Sequence, residues 1–267
     1  MDEFSFENDQ ELFNSLETIL SSTERNFHEF IDDIPNILVT NNFECKFKNE
    51  ETNGDKIHML FNKFSTSSLQ SKLGEFLSIV DGTFSAFVNT YKISLPPTNN
   101  VEYKFIIGLL GIVTNLSASP EGREFLITNF SGREFVRKII QLISELPSDS
   151  GSSPLKRLML MVLYNVSVNK TGLQYLLESR VGDSLSHCLR DKSTVEEMQL
   201  LCLRVLQSVT YDLTEPRYIQ DLNAAIPIDM IETIACSKRD NLSDIAKQVI
   251  EHLRNYEQNC KVTSQDV

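Results

Sequence analysis

His187 and Cys188 are neighbours in the chain, and a histidine beside a cysteine has the composition of a base and its nucleophile. Adjacent residues on a helix point in different directions, so adjacency alone does not make a catalytic pair. The other reactive side chains are more scattered. The five cysteines (Cys45, Cys188, Cys202, Cys236 and Cys260) include no Cys-x-x-Cys pair, the spacing used by zinc sites and thioredoxin-like motifs. They read as small buried hydrophobes or surface thiols. His28, His58 and His252 are equally dispersed. No glycine-rich phosphate loop, metal-ligand cluster or nucleophile elbow occurs. The sequence therefore points away from an enzyme and implies no cofactor and no metal.

The chemistry of recognition is better represented, and it is tied to an internal repeat. One segment reads Gly111-Ile-Val-Thr-Asn115-Leu-Ser-Ala-Ser-Pro-Glu-Gly122-Arg-Glu-Phe-Leu126. Fifty residues later comes Met161-Val-Leu-Tyr-Asn165-Val-Ser-Val-Asn-Lys-Thr-Gly172-Leu-Gln-Tyr-Leu176. Asn, Ser and Gly align, as do Phe125 with Tyr175 and Leu126 with Leu176. A third copy runs from Val205 to Ile219, forty-three residues on, with Ser208 in place of the Asn. Each copy has one layout. A long helix ends in Asn-Leu-Ser or its equivalent. A short helix follows (Gly122 to Thr128, Gly172 to Glu178), then a medium one (Phe135 to Leu146, Gly182 to Leu189, Ile228 to Cys236). Three helices in 40 to 50 residues make the armadillo unit, which buries its apolar face only by stacking on its neighbours. The fold class is all-α: an armadillo-like helical repeat array, or α-solenoid, with a short acidic N-terminal region.

The elements that must position these residues follow from periodicity. A degenerate opening unit is expected over residues 56–93, with Phe76, Leu77, Phe84, Phe87 and Val88 as its core. Ile245, Val249, Ile250 and Leu253 at helical spacing mark a capping helix. Pro96-Pro97, the stretch Pro147 to Pro154, and Asp240-Asn241 mark loops. The repeat domain spans residues 56–257, followed by a tail, 258–267. Before it, residues 1–55 show two short helical patterns and a polar linker. They hold fourteen Asp and Glu against three Lys and Arg, so nearly all of the net charge of −12 sits there. The rest of the chain is almost neutral and lacks the basic stripe that phosphate-backbone binding requires, which argues against direct nucleic-acid contact. The longest apolar run, Phe105 to Ala118, is too short for a membrane span, and no secretory signal opens the chain.

Asn115 and Asn165 lie near the ends of the long helices. An amide there can pair with the backbone of an extended peptide, or it can bond to the neighbouring repeat and set the turn. Arg123 suits carboxylates and backbone carbonyls at an interface, with an ion pair or helix cap as the bland alternative. Glu124 lies in the same motif and completes the set of partner-binding candidates. Tyr175 is expected in the core, and Arg133, in a second Gly-Arg-Glu-Phe outside the repeat register, at the surface.

Several of these motifs resemble the heat-shock-factor-two-binding family of armadillo-like proteins. They are Gly111-Ile-Val-Thr-Asn115, Gly122-Arg-Glu-Phe-Leu126, Ile140-Gln-Leu142, Leu158-Met-Leu-Met161, Leu163-Tyr-Asn-Val-Ser167, Gly172-Leu173 and Glu178-Ser179. The resemblance covers roughly residues 60–257. It implies a non-catalytic adaptor in meiotic homologous recombination, acting in double-strand break repair. Its partner would be an extended disordered segment of the breast-cancer-susceptibility recombination mediator, and its place the nucleus, on meiotic chromosomes, and the cytoplasm. Arg123 is the first partner contact it implies. A homo-oligomer is also within its scope, although residues 1–55 lack the sustained heptads of the coiled coil that precedes the repeats in that family. The competing reading is a generic armadillo scaffold for cytoplasmic signalling or cytoskeletal assembly.

Overall fold

The computed structural model describes residues 67–263, apart from 147, 148, 150, 192, 193, 212, 214 and 239. The two front helical patterns, the linker and the last residues of the tail lie outside the described residues. Eleven helices are described: α1 (Ser67–Thr90), α2 (Val101–Ala118), α3 (Pro120–Thr128), α4 (Phe130–Glu145), α5 (Ser153–Ser167), α6 (Lys170–Glu178), α7 (Val181–Arg190), α8 (Glu196–Thr210), α9 (Pro216–Ala225), α10 (Ile228–Ala235) and α11 (Asp240–Thr263). There is no strand among the described residues.

Local signals explain where several of the helices begin. Asn100 caps α2, its side chain accepting from the Glu102 and Tyr103 backbone N–H groups at 2.7 and 3.2 Å. Ser119 ends α2 and at once starts α3, accepting from the Gly122 N–H at 3.0 Å with Pro120 in the first turn. Asn129 repeats the device between α3 and α4, accepting from Ser131 and Gly132. A single capping residue thus makes each of two corners. Such a corner brings the next helix hard against the previous one. A Cβ on Gly122 would lie 1.9 Å from the Leu116 carbonyl oxygen, one on Gly132 2.5 Å from that of Leu126, and one on Gly172 2.2 Å from that of Val166. Only glycine fits at that approach. The second Gly-Arg-Glu-Phe is therefore not an accident outside the pattern, because Gly132 fills the same need one corner later.

The helices stack in three files. The long helices α2, α5, α8 and α11 pack each on the next, and α1, α4 and α7 form a second file beside them. The short helices α3 and α6 meet along a third edge. One continuous core results. Phe84, Phe135, Leu126, Leu176, Leu203 and Val249 are all at most 1 % exposed, and each such burial contributes about 1.5–3 kcal/mol. Leu77, Phe84, Phe87 and Val88 of the opening unit are buried as expected, with Phe76 packed partly against them. Ile245, Val249, Ile250 and Leu253 bury one face of α11. By length and composition α2 could cross a membrane, but 61 % of it is buried inside the protein. It is a core helix, flanked by α1, α3 and α5.

Candidate partner-binding surface

The long helices carry the candidate residues, and stacking brings them together. The Asn165 side-chain amide donates to Ser117 Oγ at 2.9 Å, from α5 to α2. One repeat on, the Ser167 hydroxyl donates to Ser208 Oγ at 2.7 Å, from α5 to α8. One further, Thr210 Oγ1 and His252 Nδ1 lie 3.1 Å apart, joining α8 to α11. The three contacts share one rule. The hydroxyl that ends one long helix (Ser117, Ser167, Thr210) meets the residue at the Asn position of the next (Asn165, Ser208, His252). This is a ladder of polar rungs between repeats.

Asn165 is therefore engaged with the neighbouring repeat through its amide nitrogen, the contact that its structural reading expects. Asn115 occupies the same position on α2 and is half-buried. Arg123 shows the cap reading as well: its guanidinium donates to the Ala118 carbonyl at 2.8 Å and to that of Ser117 at 3.5 Å. A cation on the last carbonyls of α2 complements the negative end of the helix dipole. Ser117 thus receives Asn165 on its hydroxyl and Arg123 on its carbonyl, and both residues lie within one corner. Glu124 is exposed and accepts from the Asn169 amide at 2.8 Å, tying α3 to the residue that caps α6. Asn165, Arg123 and Glu124 each make a hydrogen bond to another element or to the end of α2.

Arg133 is at the surface, as expected, and it also makes a contact between repeats. Its guanidinium lies 4.7 Å from the Tyr175 ring centre, and the Tyr175 hydroxyl donates to the Arg133 carbonyl at 2.7 Å. It bridges α4 to α6 rather than serving as an isolated surface charge. Tyr175 is buried, as its alignment with Phe125 implied.

Two rows flank the ladder. Three residues beyond each Asn position stand Ala118, Val168 and Tyr211, all exposed, with Val168 59 % and Tyr211 74 % accessible. Four residues before it on α5 and α8 stand Met161 and Arg204, half-buried, and Arg204 donates to Gln207 at 3.3 Å. Gln207 in turn donates to Gln248 on α11. Burial pulls the Arg204 guanidinium below its ordinary value, opposed by Tyr164. Burial also lowers the His252 imidazole, opposed by Glu251. Its ring packs edge-on against Tyr211 at 5.6 Å. The face is a polar ladder with an exposed apolar row beside it, which suits an extended chain segment better than a small substrate. Among the described residues, no group of three His, Cys, Asp or Glu could hold a metal ion.

A family model for the heat shock factor 2-binding protein ARM-like domain matches residues 49–171 and 179–258. The chain belongs to this family. The interruption, residues 172–178, falls within α6, the short helix of the second unit. Heat shock factor 2-binding protein of Mus musculus is 32 % identical over 184 residues, covering 67 % of this chain and 52 % of the mouse protein. The chain thus spans about half the length of that relative. A designed armadillo repeat protein aligns over 74 % of this chain and 98 % of its own, at 16 % identity and a TM-score of 0.36. The family match and the order of the helices, not that superposition, make the fold ARM-like.

Sequence reasoning found the repeat, the glycines and the Asn positions. It missed the rungs, whose members lie 41 to 48 residues apart. The recurrence of Ser or Thr two residues after each Asn position was their available signal. It also missed the exposed row, for which Val168 and Tyr211 at equivalent positions were the clue.

Proposed function

We propose that this protein is a non-catalytic adaptor in meiotic homologous recombination, holding an extended, disordered segment of the breast-cancer-susceptibility recombination mediator. The observation that carries the binding role is the exposed row Ala118, Val168 and Tyr211 beside a ladder whose polar groups already satisfy one another. A rigid, preformed strip offsets part of the ordering cost that a disordered segment meets on binding. The half-exposed Arg123 and exposed Glu124 close one end of the strip, Arg123 offering a cation to carbonyls or carboxylates of the partner. Family membership supports the adaptor role. The choice of client rests on the sequence resemblance. The same reading puts the protein at meiotic chromosomes in the nucleus and in the cytoplasm, entering the nucleus with its partner.

The name of the mouse relative favours a second reading, in which the client is a heat shock factor 2-like protein. Calorimetric titration of the full chain with purified mediator tests the first. The expected result is a saturable heat that Val168→Glu weakens at least tenfold while the melting curve stays unchanged. Absence of binding to the mediator, together with binding to a heat shock factor, would replace the client and keep the surface.

A further inference from the structure

The Asn position of each long helix looks back at the helix before it. Asn165 reaches α2, Ser208 meets α5, and His252 meets α8. On a helix, the residues seven, ten and fourteen places earlier lie on that same side. Ten places earlier stand Leu155 on α5, Met198 on α8 and Leu242 on α11, which are 0, 2 and 2 % exposed. The equivalent residue of α2 is Phe105, and it is 56 % exposed. Seven places earlier stand Leu158 and Ile245, both buried, and Leu201, half-buried. On α2 that position is Gly108, where a Cβ would meet nothing within 4 Å. Fourteen places earlier on α2 stands Val101, 81 % exposed. No long helix precedes α2 among the described residues. Its backward-looking side is therefore a stacking surface of the kind buried in every later copy, left open at the start of the file.

We propose that residues 9–20 of the same chain, which lie outside the described residues, dock on this side of α2 and take the place of the missing long helix. Leu12, Phe13, Leu16, Ile19 and Leu20 recur at helical spacing and fall on one stripe. As a helix the segment measures about 18 Å, the same as the stretch of α2 from Val101 to Ile112 that it would cover. Charge favours the same match. Residues 1–20 hold six Asp and Glu and no Lys or Arg, while Lys104, beside Phe105, and Lys92 are exposed. The acid on that side of the molecule, Glu102, is already engaged by the Tyr91 hydroxyl. The tether is long enough. Residues 21–66 as a flexible chain reach about 37 Å, and α1, whose far end leads to the start of α2, is about 36 Å long. Ile57, Leu60, Phe61 and Phe64 come directly before α1. That is the place α3 takes before α4 and α6 before α7, so they are assigned to the short-helix position of the opening unit and not to the α2 face. The acidic front thus closes the open end of the array. This inference does not depend on the identity of the partner.

The test uses the full chain with the photo-crosslinker p-benzoylphenylalanine in place of Phe105, an exposed position that tolerates the larger ring. An equal mixture of 14N- and 15N-labelled protein is irradiated, digested with trypsin and read by mass spectrometry. The expected product joins position 105 to the peptide Met1–Arg25 of the same isotope, which marks it as a link within one chain. Leu16→Glu, in the docking segment and outside the repeats, should lower the yield of that link at least tenfold while the far-ultraviolet circular dichroism of the array stays unchanged. Links between unlike isotopes would assign the surface to a second copy and overturn the proposal. So would links confined to the peptide Ile57–Lys63, an absence of any link to Met1–Arg25, or a yield that Leu16→Glu leaves unaltered.

Discussion

The corner after α2 and the corner after α8 join a long helix to a short one, and they are built differently. After α2 the connection is the single residue Ser119. It caps α3, Gly122 lets α3 touch the last turn of α2, and Arg123 covers the released carbonyls. After α8 the connection runs from Tyr211 to Glu215, α9 begins at Pro216, and no side-chain cap forms at Glu215. The corner after α5 is intermediate, with Val168 and Asn169 between the helices and Gly172 still needed. The glycine is therefore a consequence of connection length. Where one or two residues turn the chain, the next helix starts against a carbonyl and a Cβ cannot fit. Where five residues turn it, the short helix stands off and an ordinary side chain is tolerated. The ladder runs past all three corners, so repeat stacking is common to them while the turn chemistry is not.

This contrast can be broken most sharply at Gly122. Gly122→Ala forces a backbone shift at a 1.9 Å approach and should cost about 3 kcal/mol, read as a lowered urea midpoint. Glu215→Ala at the open corner should stay within about 0.5 kcal/mol of wild type. Equal effects would mean that the close approach at Gly122 does not matter. Next in size is Ser119→Ala, which removes the one residue that ends α2 and starts α3. Thermal unfolding should show a loss of about 1 kcal/mol, the usual value of an N-cap.

The rungs, shared by all corners, should give a smaller and more even signal. A double-mutant cycle on Ser117→Ala and Asn165→Ala should return a coupling of about 1 kcal/mol. Zero coupling would show that the rung is geometric only. The His252 rung adds a pH signature. Its pKa is lowered in the folded protein, so the unfolded chain binds its proton first as pH falls. Stability should decline once pH drops below about 6.5, and the decline should shrink in His252→Asn. The smallest effect is expected at the α6–α7 corner. There Arg180 holds a left-handed backbone at φ 55° and pairs with Asp183 at the surface. Arg180→Gly should stabilise by up to about 1 kcal/mol, because relief of the strained conformation exceeds the loss of an exposed ion pair.

These differences also explain what could be read in the sequence. Helix periods, Pro120, Pro216 and the repeated glycines are local signals, so the order of long, short and medium helices was legible, as was burial of Tyr175 and of the α11 face. The roles of Asn165 and Arg123 were legible only as alternatives. An amide at a helix end serves peptide or repeat equally well until the neighbouring helix is in place, 48 residues away in the chain. Arg133 is at the surface as expected, but its contact with Tyr175 was not legible because that residue lies in the next repeat. Cys188 and Cys202 are buried, one of the two readings that their scattered positions allowed.

On the proposed function, the partner lies along the exposed row beside the ladder. Hydrogen–deuterium exchange of the full chain, with and without saturating mediator, tests it most directly. New protection is expected around Ala118 to Arg123, at Val168 and Asn169, and at Tyr211, with α4, α7 and α10 unchanged. Protection confined to α4, α7 and α10, with the row unaffected, would contradict it.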